Sequence, residues 1–276
     1  YVPDTDAHYL GAFYEAEAGM VEYFLEGVYK FGEAENTGLD VTRPSYGRDD
    51  YDINAYGVSG DVAIDLDNAV GWGLKPHLGF IYTSGDDDPA DDELGGYTGV
   101  VSHQRFTKFG GENTIIGDSN TMLGTIVYSY LPGLYGNGTP VVTGGLPNGN
   151  ALGTERGDNP GLTMSSVGVD LSPRRFLTFK SNVNSFWWNE DISVTSLVNP
   201  LLNTTVDSGY VGTEWDNELT LALSRHTFVK GQCAFFFPGE VIEDVTSARS
   251  SFAAPGDGPE SDDMAMRLAM EFIWMF

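Results

Sequence analysis

Glu15, Glu22, Glu26, Lys30, Asp61, Lys75, His77, Lys180, Glu214, Asp216, Glu218, Lys230, Arg267 and Glu271 stand in stretches where apolar and polar residues alternate. In an extended chain, such alternation gathers the ionisable groups on one face and the apolar groups on the other. Carboxylates, ammonium groups, a guanidinium and an imidazole on the watery face of strands can sort solutes by charge, as the lining of an aqueous passage does. Glu17, Asp65 and Asp170 extend the same set. Carboxylates outnumber cations in it, so these residues are expected to line a pore for small hydrophilic solutes or ions, with a preference for cations. The plainer alternative is that the charges only solvate a lumen.

Bond-making chemistry is not expected. His8, His77, His103 and His226 are scattered, and neither G-x-S-x-G nor H-E-x-x-H occurs. His77, close to Lys75, reads as a pore-lining histidine. Cys233 is the only cysteine, which excludes an internal disulfide and a cysteine-based zinc or haem site. It lies on the apolar side of its stretch, where a thiol behaves as a small hydrophobe. Asp86, Asp88 and Asp91 belong to an acidic run ending at Glu93, and their oxygens could hold Ca²⁺. The run departs from the D-x-D-x-D-G loop because Ala90 occupies the third ligand position. A solvated loop, or one bridged to lipopolysaccharide, is the competing reading, and no other cofactor is expected. Asp257, Glu260, Asp262 and Asp263 form a second acidic loop, read in the same way.

The elements that must position these residues are strands. The final stretch, Asp263 to Phe276, puts Met264, Met266, Leu268, Met270, Phe272, Trp274 and Phe276 on one side, and Arg267 and Glu271 on the other. A soluble edge strand exposing so many large apolar groups would invite aggregation, whereas a strand facing lipid requires such a face. Phe272, Trp274 and the terminal Phe276 are also expected to form the signal for barrel assembly.

Composition agrees. The chain has 276 residues, 41% of them hydrophobic, with 35 Gly, 16 Phe and 14 Tyr, a mixture suited to strands, tight turns and aromatic girdles. There is no apolar run of about 18 residues, so helical membrane spans are excluded while barrel strands are not. The 40 Asp plus Glu against 14 Lys plus Arg give a formal net charge of -26, which excludes nucleic acid as a partner. The beginning, YVPDTDAHYL, has neither a basic nor an apolar leader region, as expected of a chain that is mature, cut, or not given from its biological beginning.

Taken in order, alternation predicts a hairpin over 9–31, a strand over 52–66, another over 70–82, a pair over 162–171 and 176–188 turning at Ser172-Pro173, a pair over 211–223 and 227–237, and the terminal strand. Pro76 costs its strand a ladder bond, but the surrounding alternation is unbroken. Residues 32–50, 84–160, 189–209 and 238–262 read as long loops. Met122, Leu123, Ile126, Val127, Tyr130 and Leu131 have helical spacing inside the longest one. Short turns thus alternate with long loops, the asymmetry of outer-membrane barrels, whose periplasmic turns are short. About nine strands are expected, an odd number that cannot close antiparallel alone. The expected fold is therefore an all-β, antiparallel transmembrane barrel region, one domain over 1–276, forming the C-terminal part of a longer barrel. A structural barrel sheathing a partner protein and a soluble sandwich or jelly roll remain the competing classes.

Several short motifs sharpen this expectation. Lys75-Pro76-His77-Leu78-Gly79 leading to Ser84-Gly85-Asp86-Asp87, the strand Ile53-Asn54-Ala55-Tyr56, Gly212-Thr213-Glu214-Trp215-Asp216 and Phe236-Phe237-Pro238-Gly239 together resemble the alginate-export family of bacterial outer-membrane barrels. The resemblance implies an eighteen-stranded barrel in the outer membrane of a Gram-negative-type bacterium, about nine of whose strands would be supplied by a missing N-terminal part. It implies contact with outer-membrane lipid and lipopolysaccharide, insertion by the barrel-assembly machinery, and export of an anionic polysaccharide. The acidic watery faces depart from that last role, since a polyanion wants a basic passage.

Overall fold

The computed structural model describes residues 4–37, 48–88, 90–97, 160–199, 201–260 and 262–276. Its frame is one large antiparallel sheet. The strands of its main path are β1 (Asp4–Ala18), β2 (Val21–Glu35), β3 (Tyr51–Ile64), β4 (Lys75–Thr83), β6 (Leu162–Arg174), β7 (Leu177–Trp187), β10 (Tyr210–Ala222), β11 (Thr227–Pro238) and β12 (Ala265–Trp274), in that order. The two-residue β5 (Glu93–Leu94) pairs parallel with Asp52 and Ile53 of β3. A separate hairpin joins β8 (Ile192–Thr195) to β9 (Asn203–Val206). Among the described residues the helices are α1 (Asp67–Val70) and α2 (Glu240–Ser250). Among the described residues, no helix is long and apolar enough to cross a membrane, which says nothing of strands.

The all-β expectation and the nine-stranded path are both borne out, but the sheet is not closed. Among the described residues, β1 pairs only with β2 and β12 only with β11. Every neighbour pair on the path is antiparallel, so β1 and β12, at opposite ends of an odd series, run in the same direction.

Connections at one end of the sheet are short. Gly19 makes the β1–β2 turn at a φ of 67°, where a side chain would be strained. Arg175 and Phe176 join β6 to β7, and residues 223–226 join β10 to β11. At the other end the successive strands of the path are separated by longer stretches of sequence, between Glu35 and Tyr51, Thr83 and Leu162, Trp187 and Tyr210, and Pro238 and Ala265.

Several expected boundaries move. Val70 and Trp72 are not in a strand, because residues 65–74 fold into a compact turn. The Leu66 N–H donates to the Leu74 carbonyl, and the Asp67 carboxylate accepts from the Gly73 N–H at 2.7 Å. The turn expected at Ser172-Pro173 falls three residues later, at Arg175-Phe176, after the register slips between Leu171 and Arg174. Val211, expected beside Trp215, is fully buried because a register shift at Tyr210/Gly212 turns it to the opposite side. Two expected loops contain structure, β8–β9 and α2. The helix expected near residues 122–131 lies outside the described residues, as does His103.

The principal core lies at the long-loop end. Met164, Phe186 and Phe236 of the sheet pack with Ile192, Val194 and Val206 of the small hairpin and with Val241, Val245 and Ala248 of α2. The spacing i, i+4, i+7 places those three helix residues on one stripe. Gly239 serves as the N-cap, and Glu240 and Glu243 in the first turn complement the helix dipole.

Candidate functional site: a polar sheet face

Cross-strand pairs in an antiparallel sheet project to the same side, so the register decides whether the expected residues share a face. It pairs Glu15 with Phe24, Glu22 with Ala63, Glu26 with Ser59 and Lys30 with Ala55. Asp61 pairs with Gly79, Lys75 with Asp170, and His77 with Gly168. Lys180 stands between Asp170 and Glu218, Glu214 opposite Asn184, and Asp216 opposite Asn182. Lys230 pairs with Glu271, and Arg267 with Ala234. With the alternation along each strand, these partners place all of the expected lining residues on one face.

That face is the better buried one. Lys30, Asn182, Asn184, Glu214, Asp216, Glu218 and Gln232 are buried, while the opposite face exposes Tyr14, Leu25, Tyr56, Leu78, Phe80, Val167, Trp215 and Leu219. On β12 the contrast is strongest, with Leu268 at 68% and Met270 at 82% exposure. A water-soluble sheet normally has the reverse arrangement.

Near the short-turn end, the polar face carries a belt of alternating charge. Lys75 Nζ donates to Glu22 Oε2 at 2.5 Å. Lys75 then faces Asp170, which faces Lys180, which faces Glu218. Lys230 Nζ lies 3.7 Å from Glu218 Oε2 and 3.9 Å from Glu271 Oε2, and so bridges them. Gln232 Nε2 donates to Glu218 Oε2 at 3.1 Å, while Arg267 Nη2 donates to Gln232 Oε1 at 3.3 Å. The belt is close to neutral because Lys75, Lys180 and Lys230 each sit between carboxylates and Arg267 adds a fourth cation to Glu22, Asp170, Glu218 and Glu271. His77 Nδ1 approaches Asp61 Oδ2 to 3.8 Å. The ring lies over Gly168, where any Cβ would meet both the His77 ring and Asn182 Oδ1.

Above the belt comes a rung of buried amides that ends on a carboxylate. Asn182 Nδ2 donates to Ser166 Oγ at 2.9 Å and to Asn184 Oδ1 at 3.2 Å, and Asn184 Nδ2 donates to Asp216 Oδ2 at 3.1 Å. Buried amides stay ordered when they satisfy one another in this way.

The long-loop end is acidic. Glu33, Glu35, Asp50, Asp52 and Asp92 line a cleft with Tyr51 and Arg48, whose guanidinium is 3.5 Å from Asp92. Burial, reinforced by Asp87 and Asp191, holds the Glu190 carboxyl above its ordinary range. The ring of Tyr97 packs against Gly57, 3.3 Å from where a Cβ would stand, and burial together with the Glu26 carboxylate holds the phenol above its usual value.

The suggested Ca²⁺ residues serve the local backbone. Asp86 Oδ2 accepts from the Gly95 N–H at 3.0 Å, Asp88 Oδ1 from the Ala90 N–H at 3.1 Å, and Asp91 Oδ1 from the Glu93 N–H at 2.8 Å. Among the described residues, no three His, Cys, Asp or Glu side chains converge to hold a metal ion. Asp257 also caps a turn, accepting from the N–H groups of Phe252, Ala253 and Ala254. Phe272 and Trp274 lie on the exposed apolar face with the terminal Phe276, whose ring is 5.2 Å from that of Trp274.

No protein-family model matches the chain, and no curated protein matches it.

Proposed function

We propose that the chain is part of an outer-membrane β-barrel channel for passive diffusion of small hydrophilic solutes or ions, with its polar face as the lumen wall. The single observation that carries this reading is the inverted sheet, polar where it is buried and apolar where it is exposed. Short turns at one end and long connections at the other support it. Outer-membrane lipid and lipopolysaccharide then cover the apolar face, and the barrel-assembly machinery inserts the strands. Because β1 and β12 run the same way, antiparallel closure takes an odd number of further strands, which gives an even total. An eighteen-stranded barrel completed by nine strands from an N-terminal part meets that condition.

The near-neutral belt and acidic long-loop end favour neutral solutes and cations over anions. The motif resemblance to the alginate-export family supports a second reading, an export channel for an anionic polysaccharide, with basic residues supplied by the other strands. Single-channel recording across a planar bilayer under a KCl gradient tests the proposal. A cation-leaning reversal potential, insensitive to added uronate, is expected. Anion selectivity with uronate block turns the assignment to export, and absence of conductance turns it to a sheathing or anchoring barrel.

A further inference from the structure

The wall changes character towards the long-loop end, where Ile81, Met164, Phe186 and Phe236 replace charges and amides on the polar face. An apolar shelf inside an aqueous passage is costly unless something covers it. Here α2 and the β8–β9 hairpin cover it, with Val241 and Val245 entering the same cluster.

The helix and hairpin are tied into one unit. The Leu197 N–H donates to the Arg249 carbonyl at 2.9 Å, Ser196 Oγ to the Ser251 carbonyl at 2.5 Å, and Asn199 Nδ2 to the Phe252 carbonyl at 3.0 Å. These bonds join the hairpin turn to the helix C-terminus. On the helix side away from the shelf, Glu240 and Asp244 are exposed and Glu243 is half-buried. The unit is therefore anchored by apolar contacts and presents carboxylates where it is not anchored.

We infer that this helix–hairpin unit is the size-limiting constriction of the passage, so that the permeant class is small solutes and not extended polymers. The inference rests on the channel reading. An amphipathic element docked on the inner wall occupies cross-section that the strands alone would leave open, and loops folded inward are a general means of narrowing such pores. Its acidic outer side also adds to the cation preference.

The test is liposome swelling with arabinose, glucose, sucrose and raffinose, using the full-length protein. Three forms are compared: wild type, a form with residues 240–260 replaced by a short Gly-Ser linker, and Val245→Gln, which undocks the helix without shortening the chain. Heat-modifiable gel mobility shows that each barrel has folded. Wild type is expected to pass arabinose and glucose and to exclude raffinose. Both variants are expected to raise the raffinose rate at least about threefold relative to arabinose. Rapid raffinose entry through wild type, or an unchanged size limit in a folded variant, overturns the constriction while leaving the channel standing. Swelling no faster than protein-free liposomes, even with arabinose and in all three forms, instead removes the channel reading beneath it.

Discussion

Glu214 and Trp215 are neighbours in β10 with opposite surroundings: the carboxylate residue is 0% exposed and the indole residue 44% exposed. The same inversion runs along the neighbouring strands. A sheet built this way is stable where water touches its charged face and something apolar touches the other.

The first prediction concerns the apolar face. Met270→Arg puts a cation near the middle of β12 on that face. On the membrane reading it destabilises the folded protein in lipid by about 2–4 kcal/mol. Urea unfolding in vesicles measures the change, and a shift within error would place this face in water.

Lys230 supplies the second. Its ammonium bridges Glu218 and Glu271, and the side chains of Lys230 and Glu218 are only 13% and 10% exposed. Lys230→Gln leaves a poorly solvated carboxylate beside another and is expected to cost about 3 kcal/mol. Adding Glu218→Gln should restore much of that loss. In the channel assay, Lys230→Gln alone should also move the reversal potential further towards cations; an unchanged potential would separate Lys230 from the ion path.

Asp257 gives a pH dependence. The Ala253 N–H, joined by those of Ala254 and Phe252, holds its carboxyl below the ordinary aspartate range. A carboxylate with a depressed folded-state pKa stabilises the fold above its unfolded value, and that contribution is lost as pH falls through the folded value. Amide exchange at residues 252–254 should therefore accelerate below the normal aspartate range. Asp257→Ala should show fast exchange at every pH; equal protection in both proteins would remove the cap.

How much was legible in the sequence follows the range of the forces involved. Alternation assigned Glu218, Lys230 and Glu271 to one face because side-chain direction in a strand is a local property with period two. It failed at Val70 and Trp72, where a turn closed by the Asp67 carboxylate ended the strand, and at Val211, where a slip in pairing with β7 reversed the side. The helix at Glu240–Ser250 did leave a trace, Val241, Val245 and Ala248 after Pro238-Gly239. That stripe was short and lay among Gly, Pro and Asp, so the composition spoke for a loop. The hairpin of Ile192 and Val206 was weaker still, since each of its strands has four residues.

The sequence by itself determined the strands, their two-faced chemistry, the polarity of their connections and the acidic balance, because each depends on neighbours along the chain. Only the tertiary structure decided which charges meet. Lys230 lies 12 residues from Glu218 and 41 from Glu271, and strand register alone brings all three together. It also decided that the apolar end of the polar face is covered by α2 and its hairpin, because burial of that shelf depends on residues as distant as Met164 and Val245 arriving at one place.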